Sequence, residues 1–182
     1  MPTVVLSNTV FLATTLPCLA LLVYAAGSDI ASRRIPNWIS LVILLLAGLR
    51  FPLTGADPLI PLLLAAAVFA VGFLLFLTKL LGAGDSKLAA VLVLFLEPAA
   101  VPTFLFVMSI AGGILALFTV SKGLIPKVFP QTTPGSGPEG SPEGRVSSQG
   151  LPYGVAIAAG GIFALLSFEP GIREWVYVLL SF

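Results

Sequence analysis

Long apolar runs alternate with short polar breaks along the whole chain. An α-helix needs about 20 mostly apolar residues to cross the hydrocarbon core of a membrane. Six runs fit this pattern, although the second and the fourth are short. They cover about Val10–Ser28, Trp38–Leu49, Leu59–Thr78, Leu88–Leu96, Ala99–Val120 and Leu151–Phe168. The pattern predicts an all-α polytopic membrane protein, a bundle of about six transmembrane helices.

The composition supports a membrane-embedded chain. Of its 182 residues, 58% are hydrophobic and only 9% are charged, whereas a soluble domain averages about 25% charged residues. We expect a single membrane-embedded domain over residues 1–182. A net charge of +1 argues against nucleic acid as a partner.

One segment, residues 121–150, differs in kind from the rest. It is rich in Pro, Gly and Ser and shows no apolar periodicity. Such a sequence buries too little apolar surface to offset its ordering entropy. We therefore predict a flexible loop.

The basic residues predict the orientation of the bundle. With six crossings, seven of them lie in the breaks after spans one, three and five, and two lie on the opposite side. Lys and Arg accumulate on the cytoplasmic side of membrane proteins. This bias places the flexible loop in the cytoplasm and both termini outside.

The residue inventory excludes several chemistries. The chain has no histidine and one cysteine, Cys18. Ser-His-Asp triads, Cys-His pairs, His-ligated metals and CxxC metal sites are therefore ruled out. Carboxylates remain the strongest candidates for catalysis.

Two aspartates, Asp29 and Asp85, lie at predicted cytoplasmic ends of spans, where ionisable groups are often functional. Two carboxyl groups in one pocket can share a proton, so that one activates water while the other donates to a substrate carbonyl. Structural roles are the alternative: Asp29 can pair with Arg33 at i+4, and Asp85 can cap a helix. Two flanking glycines, Gly82 and Gly84, are free to adopt positive φ and let the backbone approach closely.

Three motifs resemble those of the type IV prepilin peptidases, a family of GxGD intramembrane aspartyl proteases. Residues 82–88 read Gly-Ala-Gly-Asp-Ser-Lys-Leu, similar to the family's GxGD-x-K-[LF] signature. Residues 29–37 run from Asp29 to Ile-Pro-Asn, similar to its first-aspartate motif, and residues 152–154 read Pro-Tyr-Gly, similar to its P-[FY]-G motif. The chain lacks the paired cysteines of the long bifunctional members, so it resembles the small TadV/CpaA-type enzymes of Flp pilus systems.

This resemblance implies an aspartic endopeptidase that cleaves the short basic leader of a type IV (Flp-type) prepilin or pseudopilin after a glycine, at the cytoplasmic membrane face. It implies that Asp29 and Asp85 are catalytic, with no metal or cofactor, and no methyltransferase activity is expected. It also implies the bacterial inner membrane as the location, with the pilus-assembly machinery as a candidate partner. The supporting motif residues are Pro36, Asn37, Gly82, Gly84, Lys87, Pro152, Tyr153 and Gly154. Two alternatives stay open at this point: a small proton- or ion-coupled transporter that uses both aspartates as a charge relay, and a catalytically silent pilus-assembly scaffold.

Overall fold

A computed structural model describes residues 2–78, 80–128 and 153–168. All regular structure in these ranges is helical. The six α-helices are α1 (Pro2–Ser32), α2 (Asn37–Thr54), α3 (Leu59–Leu77), α4 (Ala83–Phe95), α5 (Val101–Val128) and α6 (Tyr153–Phe168), with a 3₁₀ turn at Pro98–Ala100 before α5. The all-α prediction is confirmed.

Four of the described helical segments are long and apolar enough to span a membrane: Ala13–Ser32, Asn37–Thr54, Leu59–Leu77 and Pro98–Ser121. The α4 helix has 13 residues, about 20 Å at 1.5 Å per residue, which is less than the roughly 30 Å of a bilayer core. It lies among longer neighbours that shield it. The chain is a polytopic membrane protein.

The short α4 helix occupies the centre of the bundle. It packs against α2, α3 and α6, while α1 packs on α2 and α6, and α5 packs on α6. Leu88, Leu92 and Val93 of α4 are fully buried. Small residues allow the close approach of the other helices, since a Cβ at Gly160 would lie 2.8 Å from the carbonyl oxygen of Phe104.

The helix surfaces differ sharply in burial. In α3 only Pro61, Ala65 and Gly72 are buried among 19 residues, and its many exposed leucines and phenylalanines form an apolar outer surface. In water such a surface would be strongly unfavourable, whereas lipid tails solvate it without cost. The exposed apolar side chains therefore face lipid.

Two predicted boundaries differ from the structure. The sequence suggested a loop from Arg50 to Pro58, but α2 continues to Thr54 and buries Arg50; the break shrinks to Gly55–Pro58, with Gly55 at φ +69° ending the helix. The α5 helix extends to Val128, into the segment predicted as a loop from residue 121. Residues 129–150 lie outside the described residues, so the flexible loop stays a prediction.

Candidate active site

Asp29 lies in the last turn of α1, with its side chain only 5% exposed. The helix ends at Ser32, and Arg33 adopts a left-handed φ of 51°. The Arg33 amide donates to the Asp29 carbonyl oxygen at 2.9 Å, and the Ser28 hydroxyl donates to the Arg34 carbonyl oxygen at 2.9 Å. These bonds close the last turn of α1 and fix the residues that follow Asp29.

Asp85 lies in the first turn of α4, where free backbone amides favour a carboxylate. The amide of Gly82 donates to Asp85 Oδ2 at 3.2 Å. A Cβ on Gly82 would lie 2.7 Å from that same oxygen. Gly82 is therefore required for close approach, because any side chain there would displace the carboxyl group.

The expected reason for the two glycines was wrong. Gly82 has φ −74° and Gly84 lies within α4, and Gly55 is the only glycine with positive φ among the described residues. A Cβ on Gly84 would meet Ile35 atoms at 3.5 and 3.6 Å, which is ordinary contact. Of the two, only Gly82 is sterically constrained by the site.

The start of α6 packs directly against Asp29. A Cβ on Gly154 would lie 2.8 Å from Asp29 Oδ2 and 2.8 Å from Ile35 Cδ1. The backbone amides of Gly154 and Val155 face the Asp29 carboxyl group as hydrogen-bond donors, at the positive end of the α6 dipole. Pro152, predicted as part of this motif, lies outside the described residues.

One cavity of about 290 Å³ joins the two aspartates. Its lining combines the end of α1, the start of α2 and the start of α4. The residues are Asp29, Arg33, Arg34, Ile35, Asn37 and Gly82 to Asp85. We call it the aspartate cavity. Asp29 Oδ2 is buried in it with no hydrogen-bond partner among the described residues.

The electrostatics of the site favour a proton shared between acid and base. Burial raises the pKa of Asp85 to about 6, and the negative charge of Asp29 acts in the same direction, against the hydrogen bond from Gly82. The Asp29 carboxyl group in turn lies within reach of the Arg33 charge. Two carboxyl groups that influence each other in this way suit general acid–base chemistry near neutral pH.

The other predicted residues take different positions. Pro36 precedes α2 in an extended conformation (φ −61°, ψ 131°) and lets the helix begin at Asn37. Lys87 is exposed and lines a neighbouring groove of α2 and α4. Tyr153 lines a separate apolar cavity of about 430 Å³ between α3, α4, α5 and α6. Neither Lys87 nor Tyr153 lines the aspartate cavity.

Sequence reasoning missed two contributors to the site and the contacts of a third. Ile35 belongs to the Ile-Pro-Asn motif, and the structure places it next to Gly154 and Gly84. Val155 contributes a backbone amide, which no side-chain pattern reveals. The buried Ser86 hydroxyl donates to the Gly72 carbonyl oxygen of α3 at 2.9 Å, which pins the first turn of α4; its position next to Asp85 was the only signal in the sequence.

No metal site is apparent in the part of the chain that the structure describes. Within these ranges, no three His, Cys, Asp or Glu side chains come together. The groups that line the cavity or face it are two carboxyl groups, backbone amides and two arginines.

Comparison with known protein families shows which family the sequence matches. The profile of the type IV leader peptidase family matches residues 16–117, more than half of the chain. The match includes both aspartates and the whole lining of the aspartate cavity. Comparisons with curated proteins and with solved structures gave no significant match.

Proposed function

Since the chain belongs to the type IV leader peptidase family, we propose that it is an aspartic endopeptidase with Asp29 and Asp85 as its catalytic pair. The substrate is a type IV (Flp-type) prepilin or pseudopilin, an apolar membrane-held segment preceded by a short basic leader. Cleavage occurs after a glycine at the end of that leader. Membership of the family supports a membrane peptidase that acts on leader sequences; the catalytic pair and the substrate subtype are our proposal.

A single observation carries the catalytic assignment: both carboxyl groups line one cavity, where they influence each other electrostatically. The competing nucleophiles are poor. The chain contains no histidine, and its lone cysteine, Cys18, is buried in the core, away from the cavity lining. Carboxyl chemistry is what remains for hydrolysing a peptide bond.

The geometry suggests how the reaction proceeds. The oxygen of a water molecule attacks the scissile carbonyl carbon while the ionised carboxylate takes a proton from that water. At the same time the protonated carboxyl group donates its proton to the carbonyl oxygen. The resulting tetrahedral diol collapses as the C–N bond breaks: the carboxyl group that was protonated in the first step donates its proton to the leaving nitrogen, and a hydroxyl of the diol returns a proton to the other carboxylate. The pKa of about 6 makes Asp85 the natural proton donor in the first step. Asp29, whose negative charge contributes to the raised pKa of Asp85, is the natural base.

The basic residues indicate how the enzyme is oriented in the membrane. Arg33 and Arg34 line the aspartate cavity, and seven of the nine Lys and Arg residues lie on that side of the predicted topology. The positive-inside rule then favours a cavity facing the cytoplasm, where the basic leader of an inner-membrane substrate lies.

The test is cleavage of a purified Flp-type prepilin by the purified protein in detergent. We expect wild type to release the leader, and Asp29→Asn and Asp85→Asn each to lose about 10³-fold or more in kcat/KM, as removal of a general acid or base does. Asp57→Asn is the matched control, because Asp57 is exposed and outside the cavity. Near-normal turnover by either Asn variant would refute the aspartic mechanism, and a wild type that binds prepilin without cutting it would favour a scaffold.

A further inference from the structure

A second surface feature begins where the aspartate cavity ends. A groove of about 570 Å³ lies along α2 and α4, lined by Trp38, Leu41 and Leu44 of α2, by Lys87 and Val91 of α4, and by Asn37 at its start. Asn37 also lines the aspartate cavity. The two spaces therefore adjoin. We call the second one the α2–α4 groove.

The groove follows one face of each helix. On α4, Lys87, Val91 and Leu94 are spaced by four and three residues, which places them on a single stripe. Leu94 lines the next cavity along the same helices, together with Ala47 and Phe51 of α2. From Asn37 to Phe51 the seam runs about 21 Å at 1.5 Å per residue. That length accommodates about four turns of a docked helix.

The polarity of the groove changes along its length. Its exposed polar residues, Asn37 and Lys87, lie at the start next to the aspartate cavity, and the rest of the lining is mainly apolar, with Trp38, Leu41, Leu44 and Val91. Trp38, Leu41 and Leu44 are exposed. A ligand that passes from polar to apolar within a few residues matches this gradient.

The proposed substrate has this form, because its apolar segment follows the scissile bond directly. A residue spans at most about 3.5 Å of chain, so the first apolar residues must lie on a surface that adjoins the aspartate cavity. The α2–α4 groove meets this condition through Asn37. The apolar cavity beside Tyr153 shares no lining residue with the aspartate cavity.

We propose that the α2–α4 groove binds the first turns of the substrate's apolar helix, while the polar leader turns past Asn37 into the aspartate cavity. This inference rests on the proposed peptidase function and adds to it the surface that selects membrane-held substrates. The groove acts through binding, so its loss affects KM and leaves the chemical step intact.

Two neighbouring leucines provide the test. Leu44 lines the groove and Leu45 does not, yet both are exposed on α2. With full-length prepilin, we expect Leu44→Trp to raise KM about tenfold, the order of effect for a misfit in an apolar pocket, with kcat unchanged. Leu45→Trp should match wild type. A leader peptide that stops shortly after the scissile bond should be cleaved equally by all three proteins.

A binding assay separates the two proposals. Leu44→Cys, in an Asp85→Asn background that blocks turnover, should form a disulfide with a cysteine placed near the start of the prepilin helix, and Leu45→Cys should not. The buried Cys18 stays as background. If the Leu44→Cys variant alone forms the cross-link and wild type does not cleave the prepilin, the proposed binding in the α2–α4 groove is supported and the proposed peptidase function is rejected. Equal behaviour of the Leu44 and Leu45 variants would reject the groove and assign it to lipid tails, and enzyme-to-enzyme cross-links would assign it to a second copy.

Discussion

Charged side chains are buried near both ends of the contact between α2 and α4, but they differ in their hydrogen-bond partners. At one end Arg50 is 6% exposed; its Nη1 donates to the Phe95 carbonyl oxygen at 3.4 Å and its guanidinium lies 5.0 Å from the centre of the Phe95 ring. At the other end Asp29 is 5% exposed and its Oδ2 has no hydrogen-bond partner among the described residues.

This contrast separates a structural charge from the charge that we propose to be catalytic. Phe95 ends α4, and its carbonyl group belongs to the last turn, where no intrahelical donor is available. Arg50 supplies that donor and its charge complements the helix dipole. The Arg50 guanidinium is held by the end of α4, whereas one buried oxygen of the Asp29 carboxyl group has no hydrogen-bond partner among the described residues.

The largest effect is expected when a side chain is added next to the Asp29 carboxyl group. Gly154→Ala places a Cβ 2.8 Å from Asp29 Oδ2, whereas Gly84→Ala places one no closer than 3.5 Å to Ile35. A displacement of about 1 Å in a catalytic group can cost about 100-fold in rate. We expect a loss of that order in prepilin cleavage for Gly154→Ala and a loss of less than about threefold for Gly84→Ala.

The measurement is kcat/KM on purified variants, with the melting temperature as a check that both fold. If the two alanine variants show equal activity, close packing of α6 on Asp29 has no role in catalysis. The contrast between the two ends of the seam would then lose its functional meaning.

Substitution of Arg50 should lower the stability of the protein and leave its activity unchanged. Arg50→Met keeps an unbranched apolar stem but removes the guanidinium group, with its charge, its hydrogen bond to Phe95 and its contact with the ring. We expect a loss of about 2–3 kcal/mol of unfolding free energy, the range for a buried hydrogen bond from a charged group. Thermal unfolding in detergent measures this, and the specific activity of the folded fraction should stay at the wild-type level. A variant with wild-type stability and no activity would contradict the division of roles.

The smallest expected effect concerns pH. The folded-state pKa of Asp85 is about 6, above the ordinary value of 3.8, so between these values the folded protein holds a proton that the unfolded chain has released. The contribution of Asp85 to stability is therefore most favourable below pH 4 and falls as the pH rises to about 6. Asp85→Asn removes this dependence. Its melting temperature should equal that of wild type near pH 4 and exceed it by a few degrees at pH 7.5. A variant less stable than wild type at pH 7.5 would show that the ionised carboxylate stabilises the fold.

The sequence by itself determined the fold class and the family of the protein. Its apolar runs predicted an all-α membrane bundle, and α3 at Leu59–Leu77 follows the predicted span almost residue for residue. The motifs around Asp29 and Asp85 identified the family that the profile match then showed. These are local features, and helix formation in lipid is a local requirement because each segment must satisfy its own backbone hydrogen bonds.

Only the tertiary structure decided which neighbours meet. Lipid-facing and buried positions are both apolar in a membrane bundle, so hydrophobic periodicity does not indicate the inner face of a helix. The burial of Arg50 in α2, the α6 amides at Asp29 and the separation of Lys87 from the aspartates all depend on how α4 sits between α2, α3 and α6. The role of Gly154 follows from the same packing: a Cβ there would lie 2.8 Å from Asp29 Oδ2, and such a distance between separate helices cannot be inferred from the order of residues along them.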